Sequence, residues 1–313
     1  MTVPWQDLTV QPRKADFFIN EFVAEEAWAD LRAVFGDGLE AFLARTTFVM
    51  FKPDAIVRRR IPDALGFLEK NGFPPIAASP AAITRNVAHH IWRYQWNAAS
   101  VDRLVLATYA NEQSDALFVL LDDAAPGAVP ATVRLWRLKG SVFPEHRRPN
   151  QLRTMLEVNN RMLGYVHTPD EPADIVRELG ILFRQNDRLR LLERARDKAD
   201  GGVGVRSMAD DLHAAISAHM LDLDEMITRN GAPVGPALAE LRDRAGRGDH
   251  PRLAEIRSLF PALDSHARRW DFITAGSLLI QHDKPGVPPL LDALAVKDVA
   301  RLWEDRHPRR DAS

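Results

Sequence analysis

The sequence contains no cysteine among its 313 residues. This absence excludes disulfide bonds, catalytic thiolates and cysteine-ligated zinc or iron–sulfur sites. A surplus of charge is also missing, because 41 lysines and arginines are matched by 43 aspartates and glutamates, which gives a formal net charge of −2. Such a balance offers no general electrostatic attraction to nucleic acid or to an anionic membrane.

Long apolar runs are absent as well. No stretch approaches the ~20 consecutive apolar residues that a membrane-spanning helix requires, and residues 1–7 lack the cationic and apolar regions of a secretory signal. The residues that are present, 46% hydrophobic and 27% charged, have the composition of an ordinary globular protein. We therefore expect a cytoplasmic protein with neither nucleic-acid nor membrane partners.

The chain is about twice as long as a typical domain, and its composition divides it into four zones. We expect an N-terminal helical extension at 1–44, an α+β domain at 45–184, a helix end with a glycine-rich linker at 185–206, and an all-helical C-terminal domain at 207–313. Within the first zone, a helix over 20–44 is expected to break at Gly36-Asp37-Gly38.

Hydrophobic patterning in the second zone predicts alternating strands and helices. Strands are expected at 46–51, 76–83, 116–121 and 163–167, and helices at 61–71, 87–96 and 172–183. The stretch 122–151, rich in proline, glycine and arginine, is expected to be mostly irregular. This order differs from a regular parallel βαβ repeat. It predicts an α+β fold, namely a ferredoxin-like antiparallel sheet covered by helices.

The remaining zones contain helix signals and one glycine-rich stretch. Residues 200–205 read Asp-Gly-Gly-Val-Gly-Val, which predicts a flexible linker. Ser207 is a good N-cap for a helix that runs to Arg229. Shorter helices are expected at 236–245, 251–260, 267–280 and 289–303.

Two motifs of the α+β zone carry residues suited to phosphate chemistry. Lys52-Pro53-Asp54 follows the first strand, and Arg58 adds positive charge four residues further on. His167 ends the last strand, and Glu178 follows it by eleven residues, within the next helix. A histidine whose second ring nitrogen is held by a carboxylate is a competent nucleophile. Taken alone, the first motif is more typical of a solvated turn, and the second of a surface histidine beside a helix.

The combination of these motifs resembles the nucleoside diphosphate kinase family. A strand that ends in Lys-Pro-Asp, a helix that ends in Lys-Asn-Gly-Phe, and a late strand–His–x–x–Asp–helix occur in the same order over roughly residues 45–184. The resemblance implies that His167 is the phosphorylated residue and that Lys52 and Glu178 assist it. It also implies contacts with nucleotide or phosphate from Arg137, Arg153, Ser141 and, as the aromatic clamp on the base, Trp92 or Tyr94.

This resemblance implies a phosphotransferase that moves the γ-phosphate of ATP through a phosphohistidine to a nucleoside diphosphate or a related acceptor. ATP is the implied phosphate donor. Mg²⁺ is the implied metal, held through the phosphates, with Asp170 as the one candidate protein contact. Nucleotides are then the expected ligands, and a homo-oligomer is an expected assembly.

The sequence also departs from the family pattern. Gly164 stands where the family has an asparagine three residues before the histidine, Thr168-Pro169 replaces Gly-Ser, and Ile91 occupies the aligned position of the aromatic clamp. Two other interpretations therefore stay open. One is a catalytically inactive nucleotide-binding or regulatory module, and the other is a kinase for a specialised small metabolite.

Overall fold

The computed structural model describes residues 2–292 and 298–306. At its centre lies a four-stranded antiparallel sheet with the strand order β2-β3-β1-β4. Its strands are β1 (Thr46–Phe51), β2 (Pro75–Ala81), β3 (Ala116–Asp122) and β4 (Val166–His167). This order, with helices between the strands, is ferredoxin-like and confirms the predicted α+β class.

The helices fall into three groups along the chain. Before the sheet lie α1 (Trp5–Leu8), α2 (Pro12–Phe18), α3 (Phe22–Phe35) and α4 (Leu39–Arg45). Between and just after the strands lie α5 (Pro53–Val57), α6 (Ile61–Lys70), α7 (Arg85–Ile91), α8 (Arg93–Trp96), α9 (Val101–Asn111), α10 (Ala131–Lys139), α11 (Leu152–Met155), α12 (Pro172–Leu182) and α13 (Gln185–Arg196). The last group is α14 (Gly202–Ala215), α15 (Leu223–Asn230), α16 (Val234–Gly246), α17 (Leu253–Ser258), α18 (His266–Leu279) and α19 (Val299–Arg306).

Both faces of the sheet are covered, which explains why every residue of β1 and β3 is buried. Successive side chains of a strand point to opposite faces. Accordingly, Phe48 and Phe118 pack with the N-terminal helices and with α12 and α13, whereas Val49 and Val119 share a hydrophobic cluster with the C-terminal helices. The N- and C-terminal segments thus cover opposite faces of one sheet, while the predicted domain boundaries stay a prediction.

The stretch 122–151 is mostly irregular, as expected, but it contains one helix, α10, that the sequence pattern did not indicate. Pro130 directly precedes the helix, where its missing N–H costs no hydrogen bond. One face of α10 buries Ala131 and Leu135 in the core, Val133 packs against α19, and Arg134 and Arg137 are less buried. The density of arginine, proline and glycine therefore concealed a helical pattern. Helix α9 was missed as well, although the Ser100 hydroxyl accepts a hydrogen bond from the Arg103 amide at its N-terminus.

Residues 200–205 are not a flexible linker. Helix α14 begins at Gly202, so Ser207 lies inside it, and the helix ends at Ala215 instead of continuing to Arg229. Asp200 pairs with the exposed edge of β2: its amide donates to Ile76 O at 3.2 Å, and its carboxylate accepts the Ala78 amide at 3.0 Å. Contacts distant in sequence therefore fix a segment whose glycine content alone indicated mobility.

The two ends of the chain show one confirmed break and one correction. The break at Gly36-Asp37-Gly38 is confirmed as a 3₁₀ turn between α3 and α4. The helix expected at 289–303 begins only at Val299, since residues 289–292 are not helical and 293–297 lie outside the described residues. In the part of the chain that the structure describes, no helix combines the length and apolar character needed to cross a bilayer.

Candidate active site

His167 is held at the end of β4 between a carboxylate and an indole. The strand places it opposite Met50 of β1. Its Nε2 lies 2.7 Å from Oε2 of Glu178, which projects from α12. Its Nδ1 accepts a hydrogen bond from Nε1 of Trp92 at 3.4 Å, and the two rings meet edge to face. Both ring nitrogens thus have defined partners, and the Glu178 contact fixes the proton on Nε2.

The Lys-Pro-Asp motif connects β1 to the segment that carries His167. The Lys52 amide donates to the carbonyl of Tyr165 at 2.9 Å, and the Asp54 carboxylate accepts the Tyr165 amide at 2.9 Å. Tyr165 has a φ of +61°, a conformation that non-glycine residues adopt only when their surroundings hold them there. The Lys52 ammonium contacts Asp54 at 3.3 Å and the Met162 carbonyl at 3.0 Å. This motif therefore positions the histidine segment as well as supplying a cation.

A cleft of about 860 Å³ opens in front of His167. This volume lies within the usual range for small-molecule sites. Of the residues singled out from the sequence, the cleft is lined by Lys52, Trp92, Arg137, Ser141, Arg153, His167 and Asp170. Glu178 instead lines a smaller cavity behind the histidine. The fold thus brings most of the predicted site residues together, while their roles stay predictions.

Arg153 supports the backbone around the cleft. Its buried guanidinium donates to the carbonyls of Gly140 at 2.8 Å, Val166 at 3.0 Å and Gly164 at 3.5 Å. Gly164, where the family has asparagine, lies against this guanidinium, and a Cβ there would be in ordinary contact with Arg153 Nη2 at 3.5 Å. The Arg153 guanidinium, which the family resemblance assigned to phosphate binding, is therefore already hydrogen-bonded to three backbone carbonyls.

Two of the other predicted phosphate contacts differ in exposure and in hydrogen bonding. The Ser141 hydroxyl accepts the Phe143 amide at 3.0 Å, which leaves its proton free to donate. Arg137 is exposed on α10 at the rim of the cleft. Both therefore remain able to contact a ligand.

Arg58 lies outside the cleft, whereas Trp92 lies inside it and contacts the histidine. The guanidinium of Arg58 contacts the sulfur of Met220 and the hydroxyl of Tyr165, outside the set of residues that line the cleft. Because α5 ends at Val57, the chain turns away from β1 before it reaches Arg58. Trp92 lines the cleft and its indole donates to His167, while its role as a base clamp stays a prediction. Tyr94 is buried, and its hydroxyl donates to Glu21.

Lys139 lines the cleft and was missed from the sequence. It lies in the last turn of α10, is only 7% exposed, and its Nζ is 4.0 Å from Oδ1 of Asp170. Burial lowers the pKa of Lys139 to about 8, against the opposing attraction of Asp170. Burial likewise raises the pKa of Asp170, against the pull of Lys139. The available signal in the sequence was that Lys139 directly precedes Gly140 and Ser141. The lysine was overlooked because it lies in a segment that was expected to be irregular.

The structure also adds a wall to the cleft from the C-terminal part of the chain. Residues 281–292, here called the strap, run beside α8 and contribute Asp283, Val287, Pro289, Leu291 and Asp292 to the cleft. The strap is fixed by backbone hydrogen bonds, including Lys284 N to Ala98 O at 2.7 Å and Leu291 N to Tyr94 O at 3.0 Å. Asp283 pairs with Arg103 and, at 2.9 Å, with Arg161.

Both ends of the chain converge on the start of α12, behind His167. The buried Glu171 carboxylate accepts hydrogen bonds from Thr9 and Gln11, each at 2.6 Å, and from the Trp303 indole at 3.1 Å. Lys14 contacts Asp174 at 2.9 Å, and this ion pair lowers the pKa of Asp174 in spite of its burial. The terminal segments therefore hold the helix that carries Glu178.

The carboxylates of the cleft do not form a metal site. Within the described residues, no three His, Asp or Glu side chains are grouped so that they could hold an ion. Asp54 is bound by Lys52 and the Tyr165 amide, and Asp170 faces Lys139. Because Asp170 has this cationic partner, we do not assign it as a magnesium ligand.

A ferredoxin-like sheet with a His–Glu pair above a cationic cleft defines a nucleotide-binding, kinase-like domain. The family model for nucleoside diphosphate kinase matches residues 45–188. A nucleoside diphosphate kinase of Metallosphaera sedula is 26% identical over 142 residues, which are 45% of this chain and 94% of the relative. One of Methanocorpusculum labreanum is 27% identical over 139 residues, 44% of this chain and 86% of the relative. Residues 45–188 are therefore a divergent domain of the nucleoside diphosphate kinase family.

Proposed function

We propose that this domain moves the γ-phosphate of ATP to His167 and then to a nucleoside diphosphate or a related acceptor. The observation that carries the proposal is the 2.7 Å contact between Nε2 of His167 and Glu178. It assigns the ring proton to Nε2 and leaves the lone pair on Nδ1, on the side where Trp92 lines the cleft. A neutral imidazole held in this way is a nucleophile toward phosphorus.

The proposed transfer keeps atoms and charge in balance. The lone pair of Nδ1 forms a bond to the γ-phosphorus, and the bond from that phosphorus to the β–γ bridging oxygen breaks, so the nucleoside diphosphate leaves with the electron pair. The proton stays on Nε2, where Glu178 stabilises the positive charge that develops on the ring. Attack by a terminal oxygen of an acceptor phosphate on the phosphohistidine then restores the free histidine.

Fixed cations near the transferring group provide the other requirement of phosphoryl transfer, since the chemistry depends mainly on positioning and charge neutralisation. Lys52 is partly buried beside the histidine segment, and Arg137 lies at the rim. We infer that magnesium enters as part of the substrate, MgATP, because Asp54 and Asp170 each lie beside a lysine and Asp283 pairs with arginines. We also propose nucleotides as the physiological ligands, while a cytoplasmic location and a homo-oligomer stay predictions.

The test is incubation with γ-³²P-labelled ATP and magnesium. We expect a label on the protein that is acid-labile and base-stable, and we expect it to be absent from His167→Gln. A label of the same stability on His167→Gln would refute the assignment of His167. His146→Gln is a matched control, because His146 is exposed at the rim of the same cleft.

Addition of a panel of nucleoside diphosphates then distinguishes the functions. A label that moves to a diphosphate supports the kinase, and one that no diphosphate removes supports the metabolite kinase. Nucleotide binding without labelling supports a regulatory module. The Trp92 contact favours that last alternative, because its indole already occupies the nitrogen that must attack.

A further inference from the structure

The cationic side chains of the cleft differ in whether the protein itself provides them with close hydrogen-bond or ion-pair partners. Lys52 contacts Asp54 and the Met162 carbonyl, and Arg153 donates to three carbonyls. Arg103 and Arg161 pair with Asp283. These four therefore have close partners before any ligand arrives.

Lys139 differs from these four cations. It is 7% exposed, and the ion-pair partner of its ammonium, Asp170, lies 4.0 Å away, beyond hydrogen-bonding distance. An ammonium removed from water is stabilised only when it is both paired and hydrogen-bonded. Burial is the largest cause of the lowered pKa of Lys139 and of the raised pKa of Asp170, and the attraction between the two groups only partly opposes it. Of the charges that act on Lys139, Arg153 disfavours the ammonium, whereas Asp170, Glu178 and Asp174 favour it.

The backbone holds Lys139 firmly in this position. Gly140, the next residue, ends α10 with a φ of +84°, and its carbonyl accepts a hydrogen bond from Arg153 at 2.8 Å. Asp170, the partner of Lys139, lies three residues after His167 and interacts electrostatically with both. The ammonium therefore lies in the charged neighbourhood of the histidine, in the wall of the same cleft.

We propose that Lys139 is a phosphate-binding residue of the cleft, whose ammonium neutralises a phosphate of the bound nucleotide. The inference rests on the proposed function for the identity of its ligand, a nucleoside di- or triphosphate. It goes beyond the motif residues, because the sequence assigned the phosphate cations to Lys52, Arg137, Arg153 and Arg58. A phosphate oxygen supplies the close anionic partner that Asp170, at 4.0 Å, does not.

The test measures binding without turnover. Dissociation constants for ADP, inorganic pyrophosphate and adenosine are determined by calorimetry for the whole chain, in the absence of ATP. Lys139→Met is expected to weaken ADP and pyrophosphate about 10- to 100-fold, the usual effect of losing a charged hydrogen bond, and to leave adenosine unchanged. Lys139→Arg is expected to recover most of the lost affinity, because it keeps the charge.

A matched control and two further outcomes make the result decisive. Lys198→Met removes a lysine whose side chain is 57% exposed and which pairs with Asp122, at the end of β3 remote from His167; it should change none of the three constants. Equal weakening of adenosine and ADP by Lys139→Met would indicate a structural role and overturn the proposal. Failure of the wild type to bind either anion would overturn it too. Normal ADP binding without a ³²P label would refute the proposed kinase activity only.

Discussion

Glu178 and His167 are eleven residues apart, and their side chains meet with Oε2 2.7 Å from Nε2. The strand that ends in His167 and the helix that begins at Pro172 bring them together, and Glu178 is itself buried. A buried carboxylate at this distance fixes the tautomer of the ring and opposes rotation of the imidazole. Because the proton is held on Nε2, this pair leaves Nδ1 as the ring nitrogen of His167 that can react.

Replacement of Glu178 by glutamine should slow formation of the phosphohistidine by about 100-fold, because the amide keeps the shape but not the charge that stabilises the developing imidazolium. The rate of ³²P incorporation in single-turnover experiments measures this. Glu193→Gln, on the exposed side of α13, is the control and should react at the wild-type rate. Equal rates for Glu178→Gln and the wild type would remove Glu178 from the mechanism.

Replacement of Trp92 by phenylalanine removes the N–H that lies 3.4 Å from Nδ1 of His167 and keeps an aromatic ring. We expect His167 to react with diethyl pyrocarbonate about two- to fivefold faster, as loss of one weak hydrogen bond allows. Mass spectrometry of the His167 peptide measures the rate. His89, which contacts Trp96, serves as the internal reference. An unchanged rate at His167 would show that the indole does not restrict the nitrogen.

Replacement of Arg153 by methionine should lower the free energy of unfolding by about 3 kcal/mol or more. The reason is that three buried carbonyls lose their donor. Urea unfolding gives the value. Arg137→Met, at an exposed position on the neighbouring helix, should change stability by less than about 0.5 kcal/mol. If Arg153→Met lowered the free energy of unfolding as little as Arg137→Met, the guanidinium would not support the backbone of the cleft.

The free energy of unfolding should rise between pH 8 and 9.5 because Lys139 loses its proton in the folded state over this range. Its pKa is about 8 in the folded state against 10.5 as the reference value, so the unfolded chain binds more protons above pH 8. Its contribution to the free energy of unfolding therefore rises with pH, by up to about 1.4 kcal/mol per unit. Below pH 8 Lys139 is protonated in both the folded and the unfolded state, so the full free-energy cost of burying its charge is present.

Urea unfolding at pH 7, 8, 9 and 9.5 tests this pH dependence. Lys139→Met should be more stable than the wild type at pH 7, and the difference should shrink as the pH rises. Lys198→Met should run parallel to the wild type throughout. A constant difference between Lys139→Met and the wild type would contradict the lowered pKa.

Replacement of Asn97 by alanine should loosen the strap without unfolding the core. The Asn97 amide group donates to Pro288 O and accepts the Leu290 amide, both at 3.0 Å. Without these bonds, hydrogen exchange at 284–292 should quicken by up to about tenfold, as expected for local opening. Exchange in β1 and β3 is the internal control. Unchanged exchange at Leu290 would show that the backbone bonds alone hold the strap.

Local sequence patterns were sufficient to predict the α+β class and the strands at the centre of the sheet. Runs such as 46–51 are β-branched and aromatic, and they are bounded by turn residues, so local pattern is sufficient for them. Motif order and spacing were sufficient to single out His167, Glu178 and Lys52 as chemical candidates, even though Gly164 and Ile91 depart from the family pattern.

The surroundings of these residues could be seen only in the folded chain. Asp200 fixes a glycine-rich stretch through β2, and the strap at 281–292 reaches the cleft through residues 94–100. Such pairings join positions far apart in the chain, and no local pattern encodes them. The same holds for Lys139 and Arg153. Both are cations in the sequence, but whether their charge is left for a ligand or used by backbone carbonyls depends on burial and on partners that only the folded chain brings within reach.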